Sequence, residues 1–195
     1  LMSWADQVAT NSDEPSSITL GADGLWWGNA EYSGYEHADV DTARSYLTTT
    51  AGWTIADDTE AMVLVFDTSK EAGTTIGIPF ITSVGYELEA TIYWGDDAQN
   101  SYSGPYPTGA REHSYDTDGT YSVYVTGLAQ KFAANNFVGR AKFVECRSFG
   151  EVGLKDATGF FQSSPNITYV PTYLPTSVTN ISSICRWIYT ITGSY

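Results

Sequence analysis

Between Tyr86 and Trp94 the chain alternates strictly, with Tyr86, Leu88, Ala90, Ile92 and Trp94 on one parity and Glu87, Glu89, Thr91 and Tyr93 on the other. Successive side chains of a strand point to opposite faces, so this stretch predicts a sheet with one face buried and one wet. Three more runs, Met62 to Phe66, Thr74 to Ile81 and Thr120 to Val125, are short and rich in β-branched and aromatic residues, as strands are. Asp118-Gly119 ahead of the last run predicts a tight turn with the glycine at positive φ. Strands spaced this way predict a small antiparallel β-sandwich of about four to seven members.

Composition agrees and narrows the partners. Only 16% of residues are charged, while 14 Tyr and 6 Trp are present, which suits strands with polar outer faces better than charged helical bundles. Nine Lys and Arg face 23 Asp and Glu, a formal charge of -14. That field repels phosphate backbones and anionic headgroups, so nucleic acid and acidic membranes are not expected partners. No apolar run reaches the roughly 18 residues that membrane insertion by a helix needs. Leu1-Met2-Ser3-Trp4-Ala5-Asp6 has neither the basic nor the hydrophobic region of a signal peptide, and a first residue other than Met is compatible with an internal piece of a longer protein.

The pattern changes twice along the chain, giving three expected parts: 1–57, 61–130 and 138–195. In the first, Asp39 or Asp41 is placed to cap one short helix in which Ala43, Tyr46 and Leu47 share a face and which Gly52 ends. Ser17 to Leu20 reads as a strand, and Gly24-Leu25-Trp26-Trp27-Gly28 as an aromatic loop. The polar break Asp57-Asp58-Thr59-Glu60 closes this part. In the third, Phe143-Val144-Glu145 with Leu154 to Phe160, and Tyr169-Val170-Pro171 with Val178 to Ile184, look alike at a period near 24 to 26 residues. One such unit cannot bury its own apolar face, so the copies are expected to stack on neighbours.

Trp94-Gly95-Asp96-Asp97 followed by His113-Ser114-Tyr115-Asp116-Thr117-Asp118-Gly119-Thr120-Tyr121-Ser122-Val123 resembles the polycystic-kidney-disease (PKD) type of immunoglobulin-like β-sandwich, over roughly a third of the chain. Asp97 stands where that family usually has Gly, and Asp tolerates the left-handed region better than most residues. Asn166-Ile167-Thr168-Tyr169-Val170-Pro171 and Leu174-Pro175-Thr176-Ser177-Val178-Thr179-Asn180-Ile181 resemble the leucine-rich repeats of bacterial BspA-like surface proteins. The head, from Leu1-Met2-Ser3-Trp4-Ala5 to Gly52-Trp53-Thr54-Ile55-Ala56-Asp57, looks like the segment that closes such an array. The resemblance implies a mainly β chain: a PKD-like antiparallel sandwich flanked by short leucine-rich-repeat-like segments, with one short helix.

Chemistry is sparsely signalled. Phosphate-loop, dinucleotide, nucleophile-elbow and His-Glu-x-x-His motifs are missing. Asp57, Asp58, Glu87, Glu89, Asp96 and Asp97 leave open an acid-pair hydrolase, although 23 acids form pairs by chance. Asp96, Asp97, Asp116 and Asp118 are candidate Ca²⁺ ligands, the competing reading being that Asp96 caps its own turn. No other cofactor is expected. His113 reads as a structural hydrogen-bonding residue beside Tyr115. Trp26, Trp27, Tyr32 and Tyr35 are candidate glycan or partner contacts, with burial under the cap as the alternative. Asn166-Ile167-Thr168 and Asn180-Ile181-Ser182 fit the glycosylation triplet. Cys146 and Cys185 are too few for a disulfide framework, and their pairing stays open. The resemblance implies a non-enzymatic structural or adhesion module, extracellular, on a bacterial surface or a phage virion as a decoration or fibre component. Its expected partners are protein or cell-surface glycan, with capsid or tail proteins and homo-oligomers among them. A carbohydrate-binding accessory module of a secreted hydrolase is the alternative.

Overall fold

The structure, a computed structural model, describes residues 2–10, 18–21, 26–28, 34, 37, 39–56, 59–80, 83–104, 111–132, 137–186 and 188. It is mainly β and divides into two compact units, residues 1–60 and 61–195.

The first unit holds helix α1 (Met2–Thr10), strands β1 (Thr19–Gly21) and β2 (Trp26–Trp27), helix α2 (Val40–Ser45) running on into a π-helical turn (Tyr46–Thr50), and strands β3 (Thr54–Ala56) and β4 (Thr59–Glu60). Asp39 is the N-cap of α2, its carboxylate accepting from the Thr42 N–H at 2.8 Å. Gly52 takes φ 71° after the helix, as a terminating glycine does. The expectation of one short helix is corrected by α1. No Ser, Thr or Asp N-cap signal announces it, and its helical character shows only in the Ala5 and Val8 spacing that packs against Ala43, Leu47 and Trp53. Among the described residues, both pairings in this unit are parallel, β1 with β3 and β2 with β4.

The second unit is built on a five-stranded antiparallel sheet ordered β11-β5-β10-β7-β8: β5 (Met62–Asp67), β7 (Leu88–Tyr93), β8 (Gln99–Ser103), β10 (Thr120–Ala129) and β11 (Phe143–Ser148). Strands β6 (Thr75–Gly77) and β9 (Glu112–Ser114) pair separately. Leu88, Ala90 and Ile92 of β7 turn inward as their alternation requires, meeting Val123 and Val125 of β10 and Leu64 and Phe66 of β5 in the core. The Asp118-Gly119 expectation is corrected. Gly119 has no positive φ; its N–H donates to Thr68 Oγ1 and its carbonyl accepts the Thr68 N–H, so the segment is held by a side chain across the sheet.

Segments 61–130 and 138–195 share one core. Strand β11 adds to β5, with Phe143 opposite Phe66 and their rings stacked at 5.2 Å. Beyond β11 the chain makes successive passes that stack in parallel. Glu145 bridges Tyr169, Asp156 bridges Asn180, and Thr168 and Thr179 bond to Val144 and Lys155, residues 24 positions earlier. The N–H groups of Ala157, Gly159, Phe161 and Ser163 donate in turn to carbonyls of Asn180, Ser182, Ile184 and Arg186. Phe149, Val152, Leu154, Phe160, Phe161 and Ile167 carry the apolar interior of the passes into that of the sheet. A pass has no core of its own, so it is stable because the sheet and its neighbours cover it.

Candidate functional site

On the wet face of the sheet, two adjoining depressions share Glu89 and Ser103 and form one open groove over β7, β8 and β10. The larger, about 660 Å³, is lined by Tyr86, Glu87, Glu89, Ser103 and Leu128; the smaller, about 360 Å³, by Thr91, Ser101, Thr126 and Gly127. The outward parity of the alternation places Glu87, Glu89 and Thr91, and the register sets Ser101, Ser103, Thr126 and Leu128 beside Glu89 and Thr91. Thr91 Oγ1 and Ser101 Oγ hydrogen-bond across the strands at 2.9 Å, and Tyr93 lies opposite Tyr124 in the register. Gly127, at φ 81°, sits so close to β7 that an added Cβ would lie 2.4 Å from the Glu89 carbonyl oxygen.

The lip of the groove is tied to the stacked passes. The buried Gln130 side chain accepts the Glu87 N–H at 3.2 Å and donates to Glu87 Oε2 at 3.4 Å, which fixes that carboxylate. Lys131 Nζ lies 4.6 Å from the Tyr86 ring centroid and 3.1 Å from Asp156 Oδ2. Asp156 is only 2% exposed. Burial pushes its carboxyl up, but the Thr158 N–H and Lys131 outweigh this and hold it below the ordinary carboxylate value. A lowered folded value means the pair contributes stability above pH 3.8 and loses it as pH falls through that lower value. In an acid titration followed by circular dichroism, the Asp156→Asn variant is expected to show a flatter acid limb than wild type. Superimposable limbs would refute this role of Asp156.

The candidate Ca²⁺ ligands do not converge. Asp96 Oδ2 lies 2.6 Å from His113 Nε2 and its Oδ1 accepts the Ala98 N–H; Asp118 accepts from Thr68 Oγ1 at 3.1 Å. Among the described residues, no three or more His, Cys, Asp or Glu side chains gather where they could hold an ion. The carboxylates of Asp96 and Asp118 are engaged in separate hydrogen bonds in two different turns. Burial raises the Asp96 carboxyl, yet the His113 and Ala98 hydrogen bonds bring it below its ordinary value. Asp97 takes φ 67° in this turn. His113 stacks on Trp94 at 5.0 Å and meets Tyr115 edge-on at 4.7 Å.

Trp26 and Trp27 are half-buried, with the Arg44 guanidinium 5.2 Å from the Trp27 ring centroid, whereas Tyr32, Tyr35, Asp57 and Asp58 lie outside the described residues. Cys146 is buried and Cys185 exposed, both as free thiols, and burial pushes the Cys146 thiol well up. Among the described residues no helix is long and apolar enough to cross a membrane. Sequence reasoning noticed Glu87 and Glu89 but missed the groove, because β8 carries one buried residue, Tyr102, in a run of Gln, Asn and Ser. The polar Trp94-to-Ser103 segment joining two apolar strands was the available signal for that hairpin. No protein-family model matches the chain, and neither a curated protein nor a solved structure matches it significantly.

Proposed function

We propose that this chain is a non-enzymatic structural and adhesion module, displayed on a bacterial surface or a virion, which contacts a protein or glycan partner through the wet face of its sheet. The observation that carries the reading is the open groove lined by Thr91, Ser101, Ser103, Thr126 and Glu89, a hydroxyl-rich surface of the kind that exchanges hydrogen bonds with a polar partner. Its floor is a rigid sheet, which limits the ordering cost of binding. The PKD-like reading of the sheet belongs to the same proposal. It is supported by the Trp94-to-Asp97 turn, with Gly95 and Asp97 both left-handed, and by the Tyr115 hydroxyl, which donates to the Trp94 carbonyl at 2.7 Å. The leucine-rich-repeat-like reading is supported by the parallel bridges of the passes. The alternative, an accessory carbohydrate-binding module, draws on the exposed rings of Tyr169 and Tyr173 on those passes.

The test is an array of surface glycans and cell-surface proteins probed with wild type and the Thr91→Arg variant. Thr91 is an outward residue, so the variant is expected to fold and to lose at least tenfold in binding. Binding that Thr91→Arg leaves intact, no signal from any partner, or turnover of a saccharide would overturn the proposal.

A further inference from the structure

Lys142 is a cation in the wrong place for a chain this acidic. It is 2% exposed, and its Nζ donates to the carbonyls of Thr75 at 2.9 Å and Ala72 at 3.5 Å. An ammonium has three donors, and this one has no carboxylate partner among the described residues. The Arg140 side chain, two residues earlier and half-buried, makes no ion pair or hydrogen bond among the described residues, its backbone carbonyl alone accepting the Phe143 N–H. With 23 acids against nine cations, two neighbouring cations left without an acid is the reverse of what chance pairing gives. Buried charge is costly unless something compensates it.

Arg140 and Lys142 are both lining residues of a cavity of about 540 Å³ between the loop at Glu71 to Thr75, the segment Phe137 to Lys142 and the turn at Ser163 to Pro165, and the Thr75 and Ala72 carbonyls that hold Lys142 belong to the same wall. Its volume falls within the roughly 300–1,000 Å³ of small-ligand sites. It shares no lining residue with the groove on the sheet. Gly73 and Gly139 in its wall take left-handed φ values of 77° and 73°. A Cβ on Gly139 would come 2.8 Å from the Thr75 carbonyl that holds Lys142. The turn Arg140–Lys142 fixes the lysine by packing, and its carbonyl partners come from a different part of the chain.

We propose that this cavity binds a carboxylate-bearing ligand of monosaccharide size, its carboxylate taken by Lys142 and forked by Arg140, its hydroxyls meeting Ser163 and the backbone of the cavity wall. A guanidinium matches a carboxylate through two parallel hydrogen bonds, and a buried ammonium supplies a fixed point charge beside it. Glu71, on the rim, opposes the same ligand. The protein's overall charge repels anions, so nonspecific adsorption does not mimic the site.

Calorimetric and amide-shift titrations of the full chain at low salt, with glucuronate as probe, test this. Glucose serves as its neutral counterpart and acetate as the bare carboxylate. Glucuronate is expected to saturate and shift the amides of residues 71–75 and 137–142; glucose is expected to leave them unmoved, and acetate to bind at least tenfold more weakly. Arg140→Ala, a half-buried position, is expected to keep the fold and weaken glucuronate about tenfold, and Glu71→Gln to tighten it. Lys142→Met tests the buried charge but threatens folding, so Arg140→Ala carries the decision. No saturable glucuronate binding, equal binding of glucose or acetate, or affinity unchanged in Arg140→Ala would overturn the assignment. The Thr91→Arg variant is expected to bind glucuronate as wild type does, so this site and the groove on the sheet fail or stand separately.

Discussion

Replacing Trp94 with Ala is expected to lower the unfolding free energy of the second unit by about 3–5 kcal/mol, the usual cost of truncating a fully buried large aromatic. Trp94 is completely buried, its Nε1 donates to Asn100 Oδ1 at 2.8 Å, and one face of its indole is covered by the His113 ring. The variant keeps the backbone bonds of Trp94 to Ala98 and Tyr115, but leaves a void beneath His113 and strands Asn100. The Asp96 and His113 pair then loses its support as well as its packing. Denaturant titration is the measurement, with an unchanged slope expected because the surface exposed on unfolding is nearly the same. Trp94→Phe is expected to lose less, chiefly the Asn100 hydrogen bond and part of the volume. A loss below about 1 kcal/mol for the alanine variant would mean that Trp94 does not anchor this sheet, since typical single changes already cost that much.

The second large effect is expected at Gly127. Its φ of 81° is one that L-residues adopt only with strain, and an added methyl would sit 2.4 Å from the Glu89 oxygen and 3.3 Å from the Ala90 Cα. Strain of about 1–3 kcal/mol adds to a steric term of similar size, so Gly127→Ala is expected to cost about 2–6 kcal/mol. Gly104 provides the control: it has the same φ of 81°, yet no atom lies within 4 Å of its ideal Cβ. Gly104→Ala carries the strain alone and is expected to cost only about 1–3 kcal/mol. Thermal or chemical unfolding of the two variants separates the steric part, and equal losses would show that β7 and β10 do not approach as closely as described. Because Gly127 also lies in the floor of the groove, its variant is expected to weaken partner binding even where it folds.

What could be read in the sequence followed from local rules. The alternation through Leu88, Ala90 and Ile92 announced β7 and its inward face, and the pair Asp39 or Asp41 announced the start of α2, of which the helix uses Asp39, because burial parity and capping are short-range properties. Where several segments had to meet, the sequence was silent. Strand β11 joins β5 through Phe143 and Phe66, residues that no local pattern links. The sequence marks Gly119 as a turn glycine, whereas it is held by Thr68, in the short 3-10 turn that follows β5. The same limit hid both sites. The groove needs β8, whose polar residues show little alternation, and the cavity draws Lys142, Thr75 and Ser163 from three distant stretches. The expected Ca²⁺ ligands misled for the opposite reason, since placing Asp96 and Asp97 on one loop and Asp116 and Asp118 on another does not make their side chains converge.

The register of β5 against β11 has a mechanical consequence. Val63, near the start of β5, lies opposite Ser148 at the end of β11, and a Cβ on Gly150 would fall 2.2 Å from the Met62 nitrogen. Antiparallel partners whose pulled ends lie side by side open like a zipper, one bridge after another, instead of sliding past each other. Tension applied between residues 61 and 150 therefore enters and leaves the sheet at nearly one point, and β7, β8 and most of β10 are shielded from it. The wet face of those strands keeps its shape under a pull until the seam between β5 and β11 has given way.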